Sequence, residues 1–277
     1  MIVHDAEQGT QEWLEARLGI PTGSSFKNII TKTGKKSSMA KDYRMQLLAD
    51  WLAGRYLDEE HFQSFAMLRG YNLQPQALDW YKLQRDVDVS EVGLCFKDAT
   101  RMVAVSPDGL VGDDGMVEVK CPFAKGQART LLSGEMDQQY KPQVMGQLWV
   151  CDRQWADYVS YHPEMPSLVV RVHRDEEYIG WLRDALTEFV HMMLEERNTL
   201  AKKGFAGALE AHATGGDDDG QEGVDGEVPG GDEGDPAAGE DRSDHPSGGS
   251  PEGRIRQAAL SYQERTDRSA GGGGKRR

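Results

Sequence analysis

Apolar residues recur along the chain in two rhythms. From Lys41 to Leu57, Met45, Leu48, Trp51 and Leu52 return every three or four positions, the period of a helix with one buried face. Leu78, Trp80 and Tyr81 carry that rhythm over Gln76 to Gln84, and further helices are predicted over Gln127 to Leu132, Lys141 to Val150 and Glu176 to Lys203. Between them lie short β-prone runs at Val92 to Phe96, Met102 to Val105, Met116 to Lys120, Ala156 to Tyr161 and Leu168 to Val172. This interleaving predicts an α/β core, a mixed central sheet flanked by helices.

The rhythm stops near Gly204. Beyond it Gly, Asp, Glu, Pro and Ser dominate, and such a stretch cannot bury enough apolar surface to repay its ordering entropy. Residues 1–203 of the 277 are therefore expected to form one domain, and 204–277 a disordered tail. The charge follows the same division. Glu210 to Asp241 hold 12 acidic and no basic residues, Arg242 to Arg277 hold 8 basic and 4 acidic, and the remaining 30 acidic and 24 basic residues leave the core at only -6. Within the tail, Ile255, Ala259 and Tyr262 recur at helical intervals, the pattern of a short docking helix or of a transient one.

Cys95, Cys121 and Cys151 are odd in number and widely spaced, which predicts buried thiols in a reducing compartment rather than disulfides or a zinc site. No apolar run approaches the roughly 18 residues of a membrane span, and the amino terminus lacks the basic and apolar regions of a signal peptide. The chain is thus expected to be soluble and cytoplasmic, with no membrane partner.

The chemistry concentrates in Ser106-Pro107-Asp108-Gly109 and, after the turn residues Gly112-Asp113-Asp114-Gly115, in Glu118-Val119-Lys120-Cys121-Pro122. The expected geometry is a hairpin whose first strand, from Met102, ends at Asp108 and whose second runs from Met116 to Lys120. Strand side chains alternate, so Glu118 and Lys120 project one way while Val117 and Val119 enter apolar packing. Two carboxylates and an ammonium then meet in a spot suited to Mg2+, with Mn2+ as an alternative, because this hard cation keeps several waters and needs few protein oxygens. A cation there would polarise a phosphoryl oxygen and acidify a water, the requirements of phosphodiester hydrolysis. A Glu-x-Lys triplet alone is common on solvated strands, so the pairing with Asp108 carries the weight.

Two further groups read ambiguously. Arg17 either ends a helix, where cations complement the carbonyl end, or joins Thr22 and Ser24 around a phosphate. Gln143 and Gln147, four apart, share a helix face that either meets DNA and a reacting water or is an ordinary polar outer face. Lys32, Lys35, Lys36, Lys41 and Arg44 form a candidate DNA track or a solvated surface. The histidines, among them His61, His162, His173 and His191, show no metal-ligand spacing.

These segments, with Gln8 to Gly19, Thr22-Gly23-Ser24, Arg69-Gly70, Gln74-Pro75-Gln76-Ala77 and Gln143 to Trp149, occur together in an order and spacing that resemble the phage lambda exonuclease family. These are YqaJ-like viral recombination nucleases with a restriction-endonuclease-like PD-(D/E)xK core. The resemblance runs from about Gln8 to about Arg197. It implies a 5′-to-3′ exonuclease acting on double-stranded DNA ends and leaving a 3′ single strand for an annealing protein, and a homotrimeric ring around the DNA. It also implies that Asp108, Glu118 and the Val119 carbonyl are metal ligands and that Lys120 is catalytic. Arg17, Thr22 and Ser24 would be the 5′-phosphate site, with Gln147 assisting on DNA and Gln143 positioning DNA or water. One departure stands out: Gln74 occupies the place of a family glutamate, and a carboxamide brings no negative charge. That departure motivates the rival reading, a catalytically weakened or silent DNA-end-binding scaffold that recruits the annealing partner.

Overall fold

The structure is a computed structural model that describes residues 1–57 and 65–205. His61 and the predicted tail features beyond Phe205 lie outside the described residues.

The elements in chain order are β1 (Ile2–His4), α1 (Gln11–Ala16), a 3-10 helix over Gly23–Asn28, α2 (Ala40–Ala53) and α3 (Phe65–Arg85). There follow β2 (Leu94–Phe96), β3 (Ala104–Val105), β4 (Gly109–Val111), β5 (Gly115–Lys120), α4 (Ala124–Ser133) and a 3-10 turn over Gln138–Tyr140. The chain continues through α5 (Lys141–Cys151), β6 (Trp155–Ser160), β7 (Leu168–His173) and α6 (Glu176–Lys202). The fold is α/β, with sheets flanked by helices.

The strands divide into two sheets rather than one. β1, β2 and β3 pair antiparallel, while β4, β5, β6 and β7 form a mixed sheet whose central β5–β6 pair is parallel. This corrects the expected hairpin: the strand before the motif pairs with β2, and the true partner of β5 is β4, which starts one residue after Asp108. The cause is Pro107, which has no N–H to donate and ends the first strand. Gly109 opens the second because any Cβ there would come within 2.1 Å of Val89.

β5 separates two cores. Met116 belongs to a large cluster with Val144, Leu148 and Tyr158, whereas Val117, Val119 and Cys121 pack with Ala77, Leu78 and Tyr81 of α3. α6 closes the larger core along Tyr178, Ile179, Leu182, Leu186, Phe189 and Met193, a helical stripe. Its start is fixed by Asp175, which accepts from the Tyr178 N–H, with Glu176 and Glu177 in the first turn where the helix dipole favours acids. α5 lies close to the 3-10 helix at residues 23–28 because Gly146 has no side chain: a Cβ there would come within 2.4 Å of the Phe26 ring. On the same helix Gln143 and Gln147 reach Glu118 of β5.

Candidate active site

Alternation along β5 puts Met116, Glu118 and Lys120 on the side of α5. Glu118 retains only 2% of its surface, so its carboxylate needs partners to offset lost hydration. It has three. Lys120 Nζ donates to Oε1 at 2.5 Å, Gln143 Nε2 to Oε1 at 2.6 Å and Gln147 Nε2 to Oε2 at 2.7 Å. Asp108 joins them from the start of β4, its Oδ2 accepting from the Val119 N–H at 2.6 Å.

The electrostatics describe a site short of positive charge. Desolvation and then the neighbouring Glu118 charge push the Asp108 carboxyl up to about 8, against the pull of Lys120 and the Val119 N–H. Burial would lower the Lys120 ammonium, but Glu118 and Asp108 outweigh it and push it up, so it is protonated. The ammonium also lies 4.9 Å from the Tyr140 ring centroid. One lysine cannot neutralise two carboxylates.

The residues present fit a hard divalent cation. Two carboxyl groups converge on one ammonium, so Asp108 keeps its proton near neutrality unless further positive charge arrives, and Gln147 Oε1, on the residue that holds Glu118, is a buried oxygen with no hydrogen-bond partner. Among the described residues no cluster of three or more His, Cys, Asp or Glu could hold a metal. Any cation here would thus be held by two acids, a backbone carbonyl and water, a set within the habits of Mg2+. Gln74 is half-buried on α3, and no hydrogen bond joins it to Asp108, Glu118 or Lys120.

A second group forms beside this one. Arg17, the C-cap of α1, donates from Nη2 to Thr22 Oγ1 at 2.7 Å, and its guanidinium lies 4.1 Å from the Trp13 ring centroid. Burial lowers the Arg17 pKa, and the side chain still keeps part of its surface in water. The Trp13 indole donates to Ser106 Oγ at 3.0 Å, and the Gln8 amide donates to the Pro107 carbonyl at 3.0 Å. The arginine is thereby tied to the segment that carries Asp108. Ser24 is exposed on the 3-10 helix, while Thr22 is buried and its N–H donates to the Tyr43 hydroxyl at 3.4 Å.

A YqaJ-like viral recombinase domain pattern matches residues 12–154, which include Arg17, Asp108, Glu118, Lys120 and both glutamines. The chain belongs to the YqaJ-like viral recombinase family. Among solved structures it is similar to the alkaline exonuclease LHK-Exo of Laribacter hongkongensis, at 31% identity and TM-score 0.64, over 70% of this chain and 98% of that one. LHK-Exo in complex with dAMP matches at 32% identity and the same TM-score. A phage-related exonuclease of Haemophilus somnus 129PT, at 15% identity, TM-score 0.50, and 64% of this chain against 96% of that one, shares the fold. No curated protein sequence matches. The YqaJ-like assignment agrees with the resemblance to the lambda exonuclease family read from the motifs.

Sequence reasoning missed Trp13, Ser106, Tyr43 and Tyr140. Ser106 was in view as part of Ser-Pro-Asp-Gly, but its bond to Trp13 spans 93 positions, and no local pattern announces such a contact. The expected basic track loses one member: Arg44 is buried, and its Nε donates to Glu196 Oε2 at 2.7 Å. Lys36 pairs with Glu188 on the surface at 2.6 Å.

Proposed function

We propose that this YqaJ-like chain is a Mg2+-dependent exonuclease that degrades one strand of duplex DNA from its 5′ end and leaves a 3′ single strand for an annealing protein. The observation that carries the reading is the buried Glu118, held by Lys120, Gln143 and Gln147 beside Asp108. The kinship with alkaline exonucleases supports the substrate class, and the dAMP complex of LHK-Exo supports a mononucleotide product. Residues 1–203 act as the nuclease domain, in a trimeric ring around the DNA, with residues 204–277 as an appended tail.

In this mechanism Asp108, Glu118 and the Val119 carbonyl would hold the cation. When bound, it supplies Lewis acidity toward the phosphoryl oxygen and a more acidic water. Gln143 and Gln147 fix the Glu118 carboxylate in one orientation, so the site is set before substrate arrives. Lys120, protonated, offsets charge that develops on the phosphate. Arg17 and Thr22, with Ser24 at the rim, take the terminal 5′ phosphate and set the register of the scissile bond.

The duplex-end assay tests the reading. Linear duplex labelled at the 5′ or the 3′ end, and closed circles, are incubated with Mg2+ or with EDTA. Early release of the 5′ label from linear DNA with Mg2+ alone is expected; nicked circles, early 3′ release or digestion in EDTA contradicts it. Arg17→Ala is expected to slow digestion of 5′-phosphorylated ends by about tenfold to a hundredfold and to spare 5′-hydroxyl ends, a loss of one charge-assisted anchor. Equal slowing on both ends rules the pocket out.

The second reading, a silent end-binding scaffold, is favoured by Gln74 alone. If that position tunes the metal site, Gln74→Glu raises digestion at limiting Mg2+ by about tenfold. An unchanged rate removes Gln74 from the site, and a wild type that binds ends without releasing nucleotide establishes the scaffold.

A further inference from the structure

Three residues beyond Lys120, within about 11 Å of chain, an aromatic ring stands in solvent. Phe123 keeps 46% of its surface exposed at the N-cap of α4. It is not loose. The Phe65 ring stacks on it at 5.7 Å between centroids with 5° between planes, and the Arg69 guanidinium lies 5.3 Å from its centroid. Arg69 is itself held, donating from Nε to the Cys121 carbonyl at 3.2 Å and from Nη2 to the Pro122 carbonyl at 3.4 Å. Tyr71, 56% exposed, lies on the same helix.

Exposing several aromatic rings costs free energy that burial would recover, and Phe123 follows Lys120 by only three residues with a fixed cation beside it. Planar rings with an interleaved guanidinium are the surface on which nucleobases stack, through their π faces and through cation–π attraction. A base inside a duplex has both faces covered by its neighbours, so only an end or an unpaired base can reach this surface.

We propose that Phe123, supported by Phe65 and Arg69, is a stacking platform for an unpaired base next to the scissile phosphate. The proposal rests on the exonuclease reading above and assigns that site a base-dependent subsite. The platform holds the base through its face, so it favours nucleotides that carry a base over those that do not and prefers none of the four strongly. It positions substrate and takes no part in bond breaking.

The test measures kcat/KM for nucleotide release by the full chain, with Mg2+, on linear duplexes whose 5′-terminal nucleotides either carry bases or are tetrahydrofuran abasic residues. The wild type is expected to prefer base-bearing ends by about tenfold, the range of one base–aromatic stack. Phe123→Ala is expected to lose that factor on base-bearing ends and keep the wild-type rate on abasic ends, while Phe123→Trp keeps the preference. An active wild type with no preference overturns the platform and leaves the exonuclease reading standing. Equal slowing of both substrates by Phe123→Ala, or a changed oligomeric mass in that variant, also overturns it, since the ring then serves folding or subunit contact. A wild type inert on every end sinks the exonuclease reading and the platform with it.

Discussion

Glu118→Gln is expected to reduce nucleotide release by about three orders of magnitude, the upper range for removing one preorganised charged group from an active site. The substitution keeps the side-chain volume and removes one negative charge where two acids, one ammonium and two amides meet. Lys120, Gln143 and Gln147 all donate to the Glu118 carboxylate, and a carboxamide there offers one acceptor oxygen in place of two. At least one of those donors then faces an NH2 group, and a cation bound here would lose one of its two acidic ligands. Folding is expected to survive, because the substitution relieves a crowded buried charge rather than opening a cavity. Single-turnover digestion together with a thermal melt checks both halves. Activity within tenfold of the wild type would place the chemistry elsewhere.

Asp157→Ala carries the largest expected loss of stability, about 3 kcal/mol. Asp157 lies on β6, is fully buried, and accepts from Arg171 Nε and Nη2 at 2.9 Å each and from the Tyr81 hydroxyl at 2.8 Å. Its removal leaves the Tyr81 hydroxyl buried without its acceptor. It also frees Arg171, whose guanidinium sits 3.6 Å from the Trp155 ring centroid. Arg171 keeps 45% of its side-chain surface in water and rehydrates, which limits the loss. Burial alone would raise the Asp157 carboxyl, but the hydrogen bonds from Arg171 and Tyr81 outweigh it and hold it below the usual range. A carboxylate depressed by folding stabilises above its unfolded pKa of about 3.9, and that stabilisation fades as pH falls through the folded value. The gap in melting temperature between wild type and variant should therefore be about 10 °C near neutrality and shrink below about pH 4. A gap that does not change with pH would show that packing, not the ion pair, is lost.

Where periodicity is long and the face strongly apolar, the chain announces its structure. The predicted Glu176 to Lys203 helix is α6 to within one residue, and the two-residue alternation of β5 sends Glu118 and Lys120 toward α5 while Val117 and Val119 face α3. Short elements are silent because they hold too few residues for a period. β1 has three residues and the 3-10 helix at 23–28 has six, and neither was anticipated. The Met102 to Val105 run was recognisably a strand, but which neighbour it paired with depended on how Pro107 interrupts the chain. Long-range polar contacts were the least legible. Arg44 read as a surface cation, yet its partner Glu196 lies 152 positions away on α6. The bond from Trp13 to Ser106 likewise links two segments whose meeting only the folded chain reveals.

The central claim is that Asp108 and Glu118, flanked by Lys120, gather a divalent cation. Anomalous diffraction at the manganese edge from crystals soaked in Mn2+ measures this directly. A single strong peak within bonding distance of the carboxylates of Asp108 and Glu118 is the predicted result. Saturating Mn2+ that yields no peak there, or an ordered ion held by other side chains, would contradict it.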